Sequence, residues 1–163
     1  MHRKIVLGLK GVFLASSLSP LTLGVPANIV HLSEVQCMQA NLYFEARSES
    51  AKAMKMIAQV TYNRKNKYKT SVCREVLKPW QFSWVKSVSY KDFTRVVAGE
   101  LQTLTKKDRQ ALQTAITIAA IPEKELKVLP KSSMHYHTVA VNPVWNRKMQ
   151  VHSVEGVHVF YLN

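Results

Sequence analysis

The stretch Leu42-Tyr43-Phe44-Glu45-Ala46-Arg47-Ser48-Glu49 sets a carboxylate directly after two aromatic rings, with an arginine two residues on and a second carboxylate at i+4. Among apolar neighbours the charged form of a carboxyl loses its water, so the pKa rises. A glutamate kept neutral near pH 7 can protonate a leaving oxygen, which is what cleavage of a glycoside demands. The same residues admit a plainer role, in which Glu45 pairs with Arg47 or caps a helix end. Glu49 likewise reads either as a helix-end partner for a lysine or an amide, or as a support for the site.

Other residues could contribute contacts. Gln81 and Ser83 could hydrogen-bond acetamido or hydroxyl groups, and Phe82 and Trp84 are either core or sugar-contacting rings. Tyr136, His137 and His158 suit a cleft or a structural role. His135 and His137 fall on one face of a strand. Their spacing, with His152 and His158, matches no closed zinc motif, so no metal and no cofactor is expected. Arg47 and Arg64 are candidates for internal pairing with carboxylates.

These groups need elements to hold them. Ser33-Glu34-Val35-Gln36 is a capping box, and the helix it opens should reach about Arg47. Val35, Met38 and Leu42 form its buried stripe and carry Glu45 to the edge of that apolar face. Ser48 or Ser50 caps a second helix, about Ala51 to Arg64, with Met54, Ile57, Ala58 and Thr61 inward. Ser71 starts a short third helix through Leu77, which Pro79 stops. Trp80 to Trp84 reads as an aromatic loop, and Tyr90 to Leu101 as a short helix containing Gly99. Thr105 to Asp108 is a second capping signature, for a helix to about Ile121 with Ala111, Leu112, Ala115, Ile116 and Ala119 on one side. After Pro130 the texture turns β-rich, and Gln150–Val154 and Val157–Tyr161 alternate around Glu155-Gly156 as a hairpin. The outline is an α+β chain: a helical body, then a small C-terminal β part.

The chain has 163 residues, about one domain, and a formal net charge of +13. Such a field draws a protein toward polyanions. The N-terminus narrows the choice among them. A basic start (His2, Arg3, Lys4), an apolar run from Ile5 to Val25 and the exit Val25-Pro26-Ala27 make residues 1–27 a secretory signal, or a releasable membrane anchor. Residues 28–163 then form the working domain. Export makes nucleic acid an improbable partner and the anionic cell envelope the natural one. In an oxidising compartment Cys37 and Cys73 can form a disulfide; the alternative is two buried thiols.

Four blocks, in order, resemble the SleB-type cell wall hydrolases, the family of spore cortex-lytic enzymes and related lysins. Tyr43-Phe44-Glu45-Ala46-Arg47-Ser48-Glu49 is similar to the family's Y-x-E-A-R-G-E, and Ala58-Gln59-Val60-Thr61-Tyr62-Asn63-Arg64 to its A-x-V-x-x-N-R. Val72-Cys73 through Gln81-Phe82-Ser83-Trp84 is similar to V-C-x-V followed by Q-F-S. His135-Tyr136-His137 with Pro143 and Trp145, then Gly156-Val157-His158-Val159-Phe160-Tyr161, is similar to the closing G-x-H-x-F-Y. The departure is Ser48, where the family pattern has glycine; a positive φ there would strain serine.

The resemblance implies a lysozyme-like fold, related to lytic transglycosylases, with a cleft between helical body and β part. It implies peptidoglycan glycan strands as substrate, Glu45 as catalytic acid, and Glu49, Gln81, Phe82, Ser83, Trp84, Tyr136 and His137 as substrate-binding candidates, in a chain expected to act as a monomer. No second carboxylate stands out by context as facing Glu45, so a single-acid route giving a 1,6-anhydro product fits better than a two-carboxylate one. The competing readings are a non-catalytic basic protein that binds the envelope or disturbs membranes, and a zinc amidase.

Overall fold

The computed structural model describes residues 32–102 and 104–163; the expected leader, residues 1–27, lies outside them. Six helices come first: α1 (Glu34–Ala46), α2 (Ala51–Tyr68), α3 (Val72–Val76), α4 (Trp84–Ser87), α5 (Tyr90–Ala98) and α6 (Lys106–Ala119). Three strands follow, β1 (His135–Thr138), β2 (Gln150–Glu155) and β3 (His158–Leu162), with 3-10 turns at Glu123–Glu125 and Val144–Lys148. The class is α+β.

The capping box at Ser33 is complete: Ser33 Oγ accepts from the Gln36 amide, and Gln36 Oε1 accepts from the Ser33 amide. From Cys37 onward α1 is buried on nearly every side, because α2, α3, α5 and α6 all pack against it. Val35 is a correction. It was expected in the buried stripe but is 45 % exposed, on a first turn that leaves Ser33, Glu34 and Val35 open to solvent. A helix surrounded in this way must satisfy polar groups internally. Asn41 donates to Thr61 Oγ1 at 3.4 Å and accepts from the Trp84 indole at 3.3 Å, while Gln39 donates to the Val96 carbonyl.

Ser50, not Ser48, caps α2, and the helix runs to Tyr68, four residues past the expected end. Nothing between Arg64 and Tyr68 breaks a helix; Lys69 ends it in the left-handed region, at φ 51°. Ser71 caps α3. Two links tie its start to the start of α1: Glu34 Oε2 accepts from the Val72 amide at 2.8 Å, and Cys37 and Cys73 are joined in a disulfide. Trp84 opens the short α4 and so does not belong to a loop. Gly99 terminates α5 at φ 70°, where only glycine is unstrained, so the helix stops short of Leu101. Thr105 caps α6, whose Ala111, Leu112, Ala115 and Ala119 are buried.

The sheet is antiparallel in the order β1-β3-β2. In the β1–β3 register Tyr136 lies opposite Phe160 and His137 opposite Val159. The β2–β3 hairpin turns through Gly156 at φ 57°, and a register shift falls between Val151 and Ser153. On the inward face of β3, Phe160 and His158 are fully buried.

Candidate active site

Glu45 is in the last turn of α1, half-buried, one turn beyond the fully buried Leu42. The carboxylate is thus fixed by a helix whose other faces cannot move, which is how a rigid element positions a reacting group. Burial pushes its carboxyl from the ordinary 4.5 up to about 7. A hydrogen bond from Tyr136 and the charge of Arg64 act in the opposite direction without cancelling the burial. At neutral pH a substantial share of Glu45 is therefore the protonated acid.

Tyr136 donates from Oη to Glu45 Oε2 at 3.4 Å. Burial, and next the Glu45 charge, raise its own pKa well above the phenol range, so it remains a donor. The ring is set by the Phe160 ring 5.5 Å away and the His158 ring 5.4 Å away, both on the inward face of β3.

Arg64 is buried in the second half of α2. Its Nε donates to the Met134 carbonyl at 2.6 Å. Its Nη1 and Nη2 reach Gln81, whose amide oxygen, oriented inward, accepts at 2.6 and 3.3 Å. The guanidinium lies 5.9 Å from the Phe82 ring centroid and 6.0 Å from that of Tyr136. Burial works against its charge; the nearby Tyr136, Glu75, Tyr68 and Glu45 oppose that effect. The preceding residue, Asn63, donates to the carbonyls of Pro130 and Ser133 at 2.8 Å each. Adjacent side chains of α2 thus grip the segment entering β1, and that grip holds Tyr136 against Glu45.

Glu49 does not face Glu45. It leaves the α1–α2 loop toward the hairpin and accepts from the Val157 amide at 3.1 Å. Ser50 donates to Glu155 Oε1 at 2.9 Å, and Lys52 pairs with Glu155 at 2.7 Å. The loop after the carboxylate is therefore zipped to the tip of the β part. Ser48 has no positive φ, so serine at the family's glycine position is not strained.

The remaining candidates divide. Gln81 reaches the site through Arg64. Phe82 and Trp84 are core residues, 4 % and 5 % exposed, rather than sugar platforms: Phe82 packs beside Arg64, and Trp84 is stacked between Phe44 and Phe93. Ser83 is exposed and, with Trp84, Phe44 and Arg47, lines a hollow of about 610 Å³ in which Glu45 takes no part. Strand alternation sends Tyr136 inward and His135 and His137 outward. There the His137 Nδ1–H donates to the Thr138 carbonyl at 2.8 Å, its Nε2 accepts from the Tyr161 hydroxyl at 2.7 Å, and its ring stacks on Tyr161. Arg47, considered as a partner for Glu45, is exposed and lies over the Tyr43 ring instead. Among the described residues no group of three or more His, Cys, Asp or Glu could hold a metal ion. The zip between Ser50, Lys52 and Glu155 was not anticipated; its partners are about a hundred residues apart and no local pattern links them.

A half-buried acid, a phenol donor and an anchored arginine thus meet at the junction of helices and sheet. A model of the cell wall hydrolase family matches residues 48–161. The chain belongs to this family. It is accordingly a peptidoglycan-degrading enzyme. The matched span takes in Arg64, Gln81, Tyr136 and His158; Glu45 lies three residues ahead of its start. No curated protein and no solved structure matches the chain.

Proposed function

We propose that this cell wall hydrolase is of the SleB type, with a lysozyme-like catalytic domain, and cleaves the β-1,4 bond between N-acetylmuramic acid and N-acetylglucosamine with Glu45 as its only acid. The observation that carries the reading is the Glu45 carboxyl, raised by burial to about 7 and bound by Tyr136.

The protonated Glu45 gives its proton to the glycosidic oxygen as the C1–O bond breaks, and the leaving sugar departs as an alcohol. The resulting carboxylate takes the proton of the muramyl 6-hydroxyl. That oxygen closes on C1, giving a 1,6-anhydro end and restoring the acid. Tyr136 stabilises the carboxylate in the interval, and Arg64 adds positive charge behind it. A two-carboxylate mechanism needs a second acid across the sugar. Glu49, the nearest in sequence, is engaged with the hairpin backbone, Glu155 with Ser50 and Lys52, and Glu123 with Lys65 and Asn66. This favours a single-acid route over a two-carboxylate one.

We place the enzyme outside the cytoplasm, in the periplasm or cell envelope, with residues 1–27 as signal or transient anchor. The Cys37–Cys73 disulfide supports this, since such bonds persist in oxidising compartments. The net charge of +13 suits an anionic wall.

Mass spectrometry of the muropeptides released from purified sacculi tests the reading. Anhydro ends are expected. Reducing N-acetylmuramic acid ends would replace transglycosylation by hydrolysis, and free amines with an intact glycan would overturn the glycosidase assignment. Glu45→Gln should abolish clearing of the wall while leaving binding nearly intact, which separates catalysis from mere attraction to the envelope.

A further inference from the structure

Trp80 is 85 % exposed, and its backbone sits at φ 66°. Both facts are unfavourable for folding. A large apolar ring in water contributes little to a core, and a bulky residue in the left-handed region is an outlier. Glycine would fit that backbone better. Strain of this kind concentrates at functional sites, where the surroundings hold it in place.

The ring is nevertheless oriented. The Lys86 ammonium, from α4, lies over the Trp80 ring as a cation–π partner, and most of the indole stays in solvent. The next residue, Gln81, is bound to Arg64, whose guanidinium borders Tyr136 and influences Glu45. Trp80 is thus one residue from the side chain that anchors Arg64. The three tryptophans differ: Trp84 is buried, Trp145 is 39 % exposed and packed against His135, His137 and Tyr161, and Trp80 is by far the most exposed.

We propose that Trp80 is a stacking platform for an N-acetylated sugar of the glycan strand, outside the pair that flanks the scissile bond. The apolar C–H face of a pyranose matches an indole face in size and polarity. The proposal rests on the glycan-cleaving reading above and adds a binding position to it.

The test uses the full chain carrying Glu45→Gln, titrated by intrinsic fluorescence with linear N-acetylglucosamine oligomers of four to six units. A saturable change is expected. Adding Trp80→Ala should weaken binding at least tenfold, and Trp80→Tyr should keep it within about threefold of the Trp80 protein. Trp80→Gly should bind as weakly as Trp80→Ala while melting no lower than the parent, an outcome that a purely structural tryptophan would not give. Equal affinity with and without the Trp80 ring, or no oligomer binding by the parent, overturns the platform. The Glu45→Gln clearing assay is read separately, so loss of the platform and loss of the catalytic assignment are distinguishable.

Discussion

Glu49 and Gly156 fill one space: a Cβ on Gly156 would stand 1.8 Å from Glu49 Oε2, the oxygen that accepts from the Val157 amide. Gly156 is also at φ 57°. Gly156→Ala therefore meets both a clash and a left-handed penalty. It should push the Glu49 carboxylate off the Val157 amide, destabilise the fold by about 1–2 kcal/mol and loosen the hairpin from the loop after Glu45. Urea denaturation and the rate of wall clearing check this; a variant as stable and as active as the parent would refute the clamp.

Glu45 and Tyr136 yield a pH prediction. The hydroxyl favours the carboxylate form, so Tyr136→Phe should raise the Glu45 pKa beyond about 7. Activity falls on the alkaline side as Glu45 loses its proton, and in the variant that limb should move to higher pH. At 3.4 Å the bond is worth roughly 1 kcal/mol, so the displacement should be under about one pH unit. Tyr161→Phe, on the outer face of the sheet, should leave the limb in place.

Stability should carry the same signature. The folded Glu45 titrates near 7 against an ordinary 4.5. Below the lower value both folded and unfolded chains are protonated, and burial costs nothing through this group. Between the two values the unfolded chain ionises first, so stability falls as pH rises, and above about 7 the full cost is present. Glu45→Gln removes it. The variant should be more stable than the parent at pH 8, by on the order of 2–3 kcal/mol, and the gain should vanish by pH 4. Thermal melts across that range decide it.

The disulfide closes a separation of 36 residues. By chain entropy, replacing Cys37 and Cys73 together with alanine should cost about 3–4 kcal/mol. Chemical denaturation of the oxidised parent against the double variant measures this. Because the bond ties the start of α1 to the start of α3, away from Glu45, kcat under folding conditions should change by less than about threefold.

Much of this arrangement could be read from local signals. Caps at Ser33, Ser50, Ser71 and Thr105 and the turn at Gly156 are short-range chemistry, and each has its expected consequence. Glu45 was legible because the helical period put it beside an apolar stripe. Phe82 and Trp84 stay open between core and cleft in the sequence because an aromatic side chain looks the same in both; the packing of Phe44, Phe93 and Arg64 around them puts them in the core. The resemblance groups His137 with Tyr136, while strand alternation puts the two on opposite faces of the sheet. Arg64 was expected to pair with a carboxylate, yet its bonds run to a carbonyl and an amide, the Met134 oxygen and Gln81. Val35 was lost to a different cause: periodicity names a face but not where along the helix its neighbours end.

The four-residue strand β1 therefore holds more than geometry. Its pairing, Tyr136 opposite Phe160, places a weakly acidic phenol at the carboxyl and keeps two imidazoles behind it. A slip of one position would exchange these, bringing the ring of His135 or His137 toward Glu45. A ring nitrogen would then stand where the Tyr136 hydroxyl now donates. The displaced strand would take the phenol donor away from the carboxyl, so one ladder step governs the surroundings of the acid.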